Sequence, residues 1–138
     1  MSSTADYNQR IINEFRANGG EVPSWGGTSR LLLLHHRGAK SGAERVNPVA
    51  YLPDDGRYVV FASKAGAATN PAWYHNLKAH PKTTIEVGAD TVAVTAREAT
   101  GEERDRLFGA QAERSPQFAE YQQKTDRLIP VVVLSPAA

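Results

Sequence analysis

The sequence predicts an α+β fold with a mostly antiparallel β-barrel of about six strands at its centre and helices at its periphery. Three observations carry this. Short strand-like runs come in pairs joined by turn residues, as in Pro53-Asp54-Asp55-Gly56 and Gly88-Ala89-Asp90. Few helical stretches separate successive strands, so a doubly wound parallel sheet is not built. The last apolar run, Pro130–Leu134 (PVVVL), follows two helical segments and must return to the sheet as a buried strand.

Taken in order, Tyr7, Ile11, Ile12 and Phe15 recur at helical spacing, which predicts an amphipathic helix over 5–17 stopped by Asn18-Gly19-Gly20. A loop with Pro23, Trp25, Gly26 and Gly27 follows. Strands are predicted over 30–36, 46–52 and 58–62, the last two joined at Gly56, where the turn needs a positive φ. Asn70 as N-cap with Pro71 at the first helical position predicts a short helix over 71–79. Strands over 83–87 and 91–98 come next. Thr100 with Glu103 reads as a capping box opening a helix over 101–114, and 118–126 reads as a further helical segment.

Composition limits the function. The 138 residues fit a single domain, divided into an N-terminal helix and loop (1–27) and a barrel (28–138). Sixteen basic and fifteen acidic side chains leave a net charge of +1, without the basic footprint that nucleic-acid binding requires. The absence of cysteine excludes disulfides, zinc-thiolate sites and a thiol nucleophile, and it fits a reducing cytoplasm. MSSTADYNQR has no apolar segment of a secretory signal, and the longest apolar run, Leu31–Leu34, is far short of a membrane span. A soluble protein is expected, with peripheral membrane contact left open.

Two clusters carry candidate chemistry. Between the first two strands lies RGAKSGAE, and Arg37, Gly38, Ala39, Lys40, Ser41, Gly42 and Arg45 concentrate cations and glycines at one turn. Glycines allow backbone N–H groups to converge on an anion, while Lys40, Arg37 and Arg45 suit phosphate or carboxylate. The plain alternative is a solvated turn. A P-loop is rejected, because Ala39 rather than glycine precedes Lys40 and a strand follows. The second cluster is FASKAGAATNPAWYHNLKAHP. Lys64 follows a strand end and Gly66 frees the loop, while Trp73 reads either as a core plug or as a cofactor platform at a helix start. His35 and His36 are adjacent on a strand and face opposite sides, so they cannot chelate together. His75 and His80 lack acidic partners at ligand spacing, and no metal site is expected.

Together, G-x-K-S-G after a strand, A-S-K-x-G, N-P-A-W-Y-x-N-L, and Y-Q-x-x-T-D-R-x-I-P-V-V-V-L from Tyr121 to Leu134 resemble the deazaflavin-dependent nitroreductase family. The resemblance runs from about residue 31 to 134 and implies a split β-barrel that binds the deazaflavin coenzyme F420. That coenzyme carries a phosphodiester and a polyglutamate tail, which would account for the cationic loop. By motif, Ala39, Lys40 and Ser41 would hold the phosphate and tail. Arg45, Val46, Asn47, Pro48, Val49 and Ala50 would run along the coenzyme. Phe61, Ala62, Ser63 and Lys64, with Ala72, Trp73, Tyr74, His75 and Asn76, would line the ring and its ribityl chain. Tyr121 would stand on the substrate side, flanked here by Phe118 and Lys124 where several relatives carry further tyrosines.

The resemblance implies hydride transfer from reduced coenzyme to a small electron-poor acceptor: a quinone, an activated alkene or a nitroaromatic. Such chemistry asks the protein for position and electrostatics rather than a catalytic triad. Tyr121 and Ser63 are the expected hydrogen-bond donors to the acceptor. FMN as the cofactor, or a non-catalytic deazaflavin carrier, are the alternative readings. The oligomeric state is not legible.

Overall fold

The computed structural model describes residues 4–22, 30–63 and 70–136. Helix α1 (Thr4–Ala17) precedes strands β1 (Arg30–Arg37), β2 (Glu44–Asp54) and β3 (Arg57–Phe61). Helix α2 (Ala72–Ala79), strands β4 (Lys82–Val87) and β5 (Asp90–Ala99), helices α3 (Gly101–Arg114) and α4 (Gln117–Gln123), and strand β6 (Val131–Pro136) complete the chain. The strands close into an antiparallel barrel in the order β1-β2-β3-β6-β5-β4.

Strand alternation sorts the apolar residues into an inside and an outside. Leu32, Leu34, Tyr51, Val60, Ile85, Val94, Val132 and Leu134 share one core with Trp73, Tyr74 and Leu77 of α2, which packs as a plug on the barrel. On the outer face, Ile11, Ile12 and Phe15 of α1 pack on Leu31 and Leu33. Leu107 and Phe108 of α3 and Phe118 of α4 cover Val59, Phe61, Val131 and Val133. Each fully buried Leu, Ile or Phe contributes about 1.5–3 kcal/mol, so the three outer helices are held by burial more than by their short lengths. The apolar side of α1 is thus against the barrel, which leaves Tyr7 as its exposed large apolar residue among those described. No helix among the described residues is long and apolar enough to cross a membrane.

Several local expectations change. The β2–β3 turn is Asp55-Gly56 alone, both at positive φ (52° and 79°), flanked by the pair Asp54–Arg57. That is a two-residue turn whose twist suits the strands, so β2 runs on through Pro53 and Asp54. Asn70 does not cap α2. The N-cap is Pro71, and the Asn70 carboxamide oxygen accepts from Arg127 at 2.7 Å instead. Thr100 occupies the N-cap position of α3 without a side-chain bond, and the Glu103 carboxylate, the other half of the expected box, is held instead in a bidentate pair with Arg97 at 2.8 and 3.0 Å. Helix α4 stops at Gln123 rather than continuing to 126. Gln122 takes the Arg127 carbonyl (2.7 Å) and the Ile129 amide (3.0 Å), pulling the chain out of the helix toward β6.

Glycine is required where α1 meets the β4–β5 turn. Gly20 has φ +99°, and a Cβ there would lie 2.5 Å from the Gly88 Cα. The approach is backbone on backbone, reinforced by the Arg16–Glu86 pair at 2.7 Å.

Candidate functional site

The barrel is split along β2. β1 pairs with β2 from Glu44 to Tyr51, whereas β3 pairs with β2 only from Tyr51 to Asp54. Among the described residues, the β3-side edge of β2 from Glu44 to Ala50 therefore has no strand partner. The phase of this edge follows from two independent features. Asp54 and Arg57 flank a two-residue turn and are hydrogen-bonded to each other, so Asp54, Leu52, Ala50, Pro48 and Val46 turn their backbone groups toward the β3 side. Pro48, which lacks an N–H, is tolerated only where its nitrogen faces away from the ladder, which gives the same phase. The amides of Val46 and Ala50 and the carbonyls of Val46, Pro48 and Ala50 are thereby presented along an open edge. Residues Val46 to Ala50 are half-buried, with Val46 and Ala50 against the α1 cluster and Ala50 also against the α3–α4 cluster.

One end of this edge is the cationic loop. Its glycine amides do not converge on a ligand, as the sequence reading expected. Gly38 donates to the Ala43 carbonyl and Gly42 to the Gly38 carbonyl, both at 2.9 Å, and the Ala43 amide donates to Ser41 Oγ at 3.2 Å. Gly42 (φ +73°) closes this turn. Among the described residues, the backbone donors left free here are those of Lys40 and Ser41, both in exposed positions. Arg37 pairs loosely with Glu44 at 3.4 Å, while Lys40 and Arg45 are exposed. The loop thus offers two amides and two cations to an anion rather than a glycine nest.

The Ala39 amide leaves the loop and donates to the Asn76 Oδ1 of α2 at 3.0 Å. Asn76 Nδ2 lies 2.9 Å from His36 Nδ1, and His36 Nε2 lies 2.6 Å from Asn47 Oδ1. The side chains of Asn47 and Asn76, expected to line the coenzyme, therefore point to His36. Their residue types were legible, but contacts 11 and 40 residues apart are not encoded in any local pattern. Burial pushes the His36 imidazole below its ordinary range, and the nearby Arg45 and His35 push the same way, outweighing the Asn47 bond. A cavity of about 380 Å³ adjoins this chain, lined by His35, His36, Arg37, Glu44, His80, Lys82, Thr83 and Thr84.

The other end of the open edge holds Phe61 to Ser63. An aromatic series runs outward from the core: Phe61 meets Phe108 (6.1 Å) and Phe118 (5.7 Å), and Phe118 meets Tyr121 (5.3 Å), all edge-to-face. Tyr121 is half-buried, and its hydroxyl makes no hydrogen bond among the described residues. Arg127 belongs to the Tyr121–Leu134 motif, whose pattern assigns it no role. Its guanidinium donates to the carbonyls of Ala62 (3.1 Å) and Ser63 (2.8 Å) and to Asn70 Oδ1 (2.7 Å). It therefore ties together the two ends of the 64–69 segment. Lys64, which the sequence reading placed on the ring, and Gly66 lie outside the described residues.

Arg127 is itself held from behind. Gln122 takes its carbonyl, and buried Arg104 donates to Gln122 Oε1 and to the Ile129 carbonyl, both at 2.9 Å, with its guanidinium 4.5 Å over the Phe108 ring. Trp73 and Tyr74, each 7% exposed, are packed in the barrel core, so Trp73 is a plug rather than an exposed platform. Ala72 and His75 of α2 are exposed.

Residues 8–136 match the model of the F420H(2)-dependent quinone reductase family. The chain belongs to that family. It is 40% identical over 112 residues to the F420H(2)-dependent quinone reductase Rv1261c of Mycobacterium tuberculosis, covering 79% of this chain and 75% of the relative. The solved structure of an F420-H2 dependent reductase (FDR-A) superposes with a TM-score of 0.70 at 42% identity, covering 76% of this chain and 93% of that one. A structure described as a domain-swapped dimer superposes with a TM-score of 0.73 at 37% identity, covering 96% and 100%. The family's acceptor, a quinone, lies within the acceptor range that the sequence pointed to.

Proposed function

We propose that this member of the F420H(2)-dependent quinone reductase family transfers a hydride from reduced coenzyme F420 to a quinone, with the coenzyme laid along the open edge of β2. The observation that carries this reading is the one-sided pairing of residues 44–50 between the cationic loop and the Phe61–Tyr121 wall. When bound, the coenzyme supplies the hydride; the chain's residues supply position and electrostatics.

In this reading Lys40 and Arg45, with the free amides of Lys40 and Ser41, take the phosphodiester and the first carboxylates of the tail. The backbone groups of Val46, Pro48 and Ala50 bind polar atoms of the ribityl chain and ring, as an added strand would. Phe61, Ala62 and Ser63 form the wall beside the ring, and Arg127 fixes where the segment after Ser63 leaves and returns. Trp73 and Tyr74 support α2 from the core. Tyr121, whose hydroxyl makes no hydrogen bond among the described residues, would donate to the acceptor oxygen as negative charge develops on it, and Ser63 is the second candidate donor.

The test is titration with oxidised F420 beside FMN, followed by quenching of protein fluorescence, for the wild type and Lys40→Ala. F420-selective binding weakened about tenfold by Lys40→Ala supports the reading. A preference for FMN refutes the cofactor, and an unchanged affinity in Lys40→Ala refutes the anion loop. Oxidation of F420H2 by added menadione separates a reductase from a carrier, which would bind without turnover.

A further inference from the structure

The chain of side chains behind the cationic loop has only one consistent arrangement of protons. A backbone N–H is always a donor, so Ala39 forces Asn76 to present its carboxamide oxygen to the loop. Asn76 must then present its NH2 group to His36 Nδ1, which has to accept. His36 therefore carries its proton on Nε2 and donates it to Asn47 Oδ1. The fixed amide settles both the amide orientation and the tautomer, which distances alone leave open.

We propose that His36 is a positioning residue for the coenzyme: as the neutral Nε2–H imidazole it ties β2 to α2 and, through Asn76, holds the Ala39 amide so that the loop keeps the Lys40 and Ser41 amides free for the anion. The inference rests on the coenzyme reading above and adds a condition to it, because only one charge state of His36 satisfies the chain.

A protonated His36 would set its Nδ1–H against the Asn76 NH2, donor against donor. Turning the Asn76 amide over relieves that clash but places the NH2 against the Ala39 N–H, moving the mismatch into the loop. Left unturned, the amide keeps the Ala39 bond but loses its bond to His36; turned, it leaves Ala39 without an acceptor, so protonation breaks the link from β2 through α2 to the loop at one joint or the other.

Burial and the neighbouring cations oppose protonation and outweigh the Asn47 bond, which favours it. Arg45 of β2 is the cross-strand partner of His36, and both its charge and that of His35 disfavour an imidazolium. Arg37 of β1, His80 beyond α2 and Lys82 of β4 line the same cavity, in which Glu44 is the carboxylate among the described lining residues and is paired with Arg37. Because the folded-state value lies below the ordinary 6.5, the neutral form and its bonds are fully present above about pH 6.5 and are lost as pH falls through that lower value.

The experiment compares the wild type with His36→Gln, whose carboxamide accepts from Asn76 and donates to Asn47 but does not titrate in this range. F420 affinity is measured by fluorescence between about pH 8 and pH 5. Nitrogen chemical shifts of the His36 ring and of the Ala39 amide are followed without coenzyme over the same range. The expected result is an Nε2–H neutral ring at neutral pH, an Ala39 amide that shifts together with the His36 titration, and a wild-type affinity that falls about tenfold more across the range than that of His36→Gln. Titration of the coenzyme's own groups affects both proteins and cancels in the comparison. Identical pH profiles for the two proteins overturn the inference, as does a ring found in the Nδ1–H tautomer. Failure of the wild type to bind F420 at about pH 8, with the coupled His36 and Ala39 shifts intact, would sink the coenzyme reading and with it the role of His36 in binding. The relay itself would then stand without that ligand.

Discussion

Replacing Arg127 with methionine tests whether the site depends on the tie between Ser63 and Asn70. Among the described residues the guanidinium donates to the Ala62 and Ser63 carbonyls and to Asn70 Oδ1, at 3.1, 2.8 and 2.7 Å. Ala62 is fully buried and Ser63 nearly so, hence both carbonyls lose a partner in a place water reaches poorly. Bonds from a charged donor contribute about 1.5–3 kcal/mol when buried. Arg127 is half-buried, so about 1 kcal/mol per bond and about 3 kcal/mol in total is the expected loss. For a chain of this length that corresponds to a fall of about 10 °C in Tm. Methionine keeps the apolar reach of the side chain, which confines the effect to the lost bonds.

The same change releases the two ends of the 64–69 segment from each other. A binding-competent arrangement then holds for a smaller fraction of the time, and the apparent Kd for F420 rises in proportion, about tenfold at a temperature well below the new Tm. Arg127→Lys should recover the charge but not the forked geometry, landing between the two. Urea unfolding and F420 titration on the same samples measure both effects. A drop in stability with unchanged Kd would show that the loop ends do not shape the coenzyme site. No change in either would refute the structural role of Arg127 altogether.

Three further outcomes follow from particular geometries. Tyr121→Phe should lower menadione turnover up to about tenfold while leaving Tm within about 2 °C, since its hydroxyl has no described partner to lose; full turnover would remove the donor role. Gly20→Ala should destabilise the chain by about 3 kcal/mol in urea unfolding, because the residue sits at φ +99° and its Cβ would meet the Gly88 Cα at 2.5 Å; a neutral effect would mean that α1 is not seated against the β4–β5 turn. Thr100→Ala should cost less than about 0.5 kcal/mol rather than the ~1 kcal/mol of a true cap, as Thr100 makes no capping bond; a full cap-sized loss would contradict that geometry.

Much of the fold was legible because it is local. Period-2 runs, the Asp55-Gly56 turn and the apolar stripe of α1 each depend on residues within one element, and all appear in place. The two caps were misread for the opposite reason. Thr100 stands at its N-cap position and Asn70 one residue before the cap of α2, and distant or lateral partners, Arg127 for Asn70 and Arg97 for Glu103, take the groups that would close the caps. Sequence pattern weighs only the neighbours along the chain.

By itself, then, the sequence determined the barrel class, the order of its elements, the cationic loop and, through four spaced motifs, the family. Tertiary structure decided which of those residues stand open to solvent and which turn inward. Closing the barrel left residues 44–50 of β2 paired on one side only among the described residues, and turned Asn47 and Asn76 inward onto His36. It also brought Arg127 to Ser63, 64 residues away, so that a motif residue without an evident task became the tie between Ser63 and Asn70. A side chain's partner in a barrel is set by register and closure. Those are properties of strands meeting across the whole chain, and no window of neighbouring residues contains them.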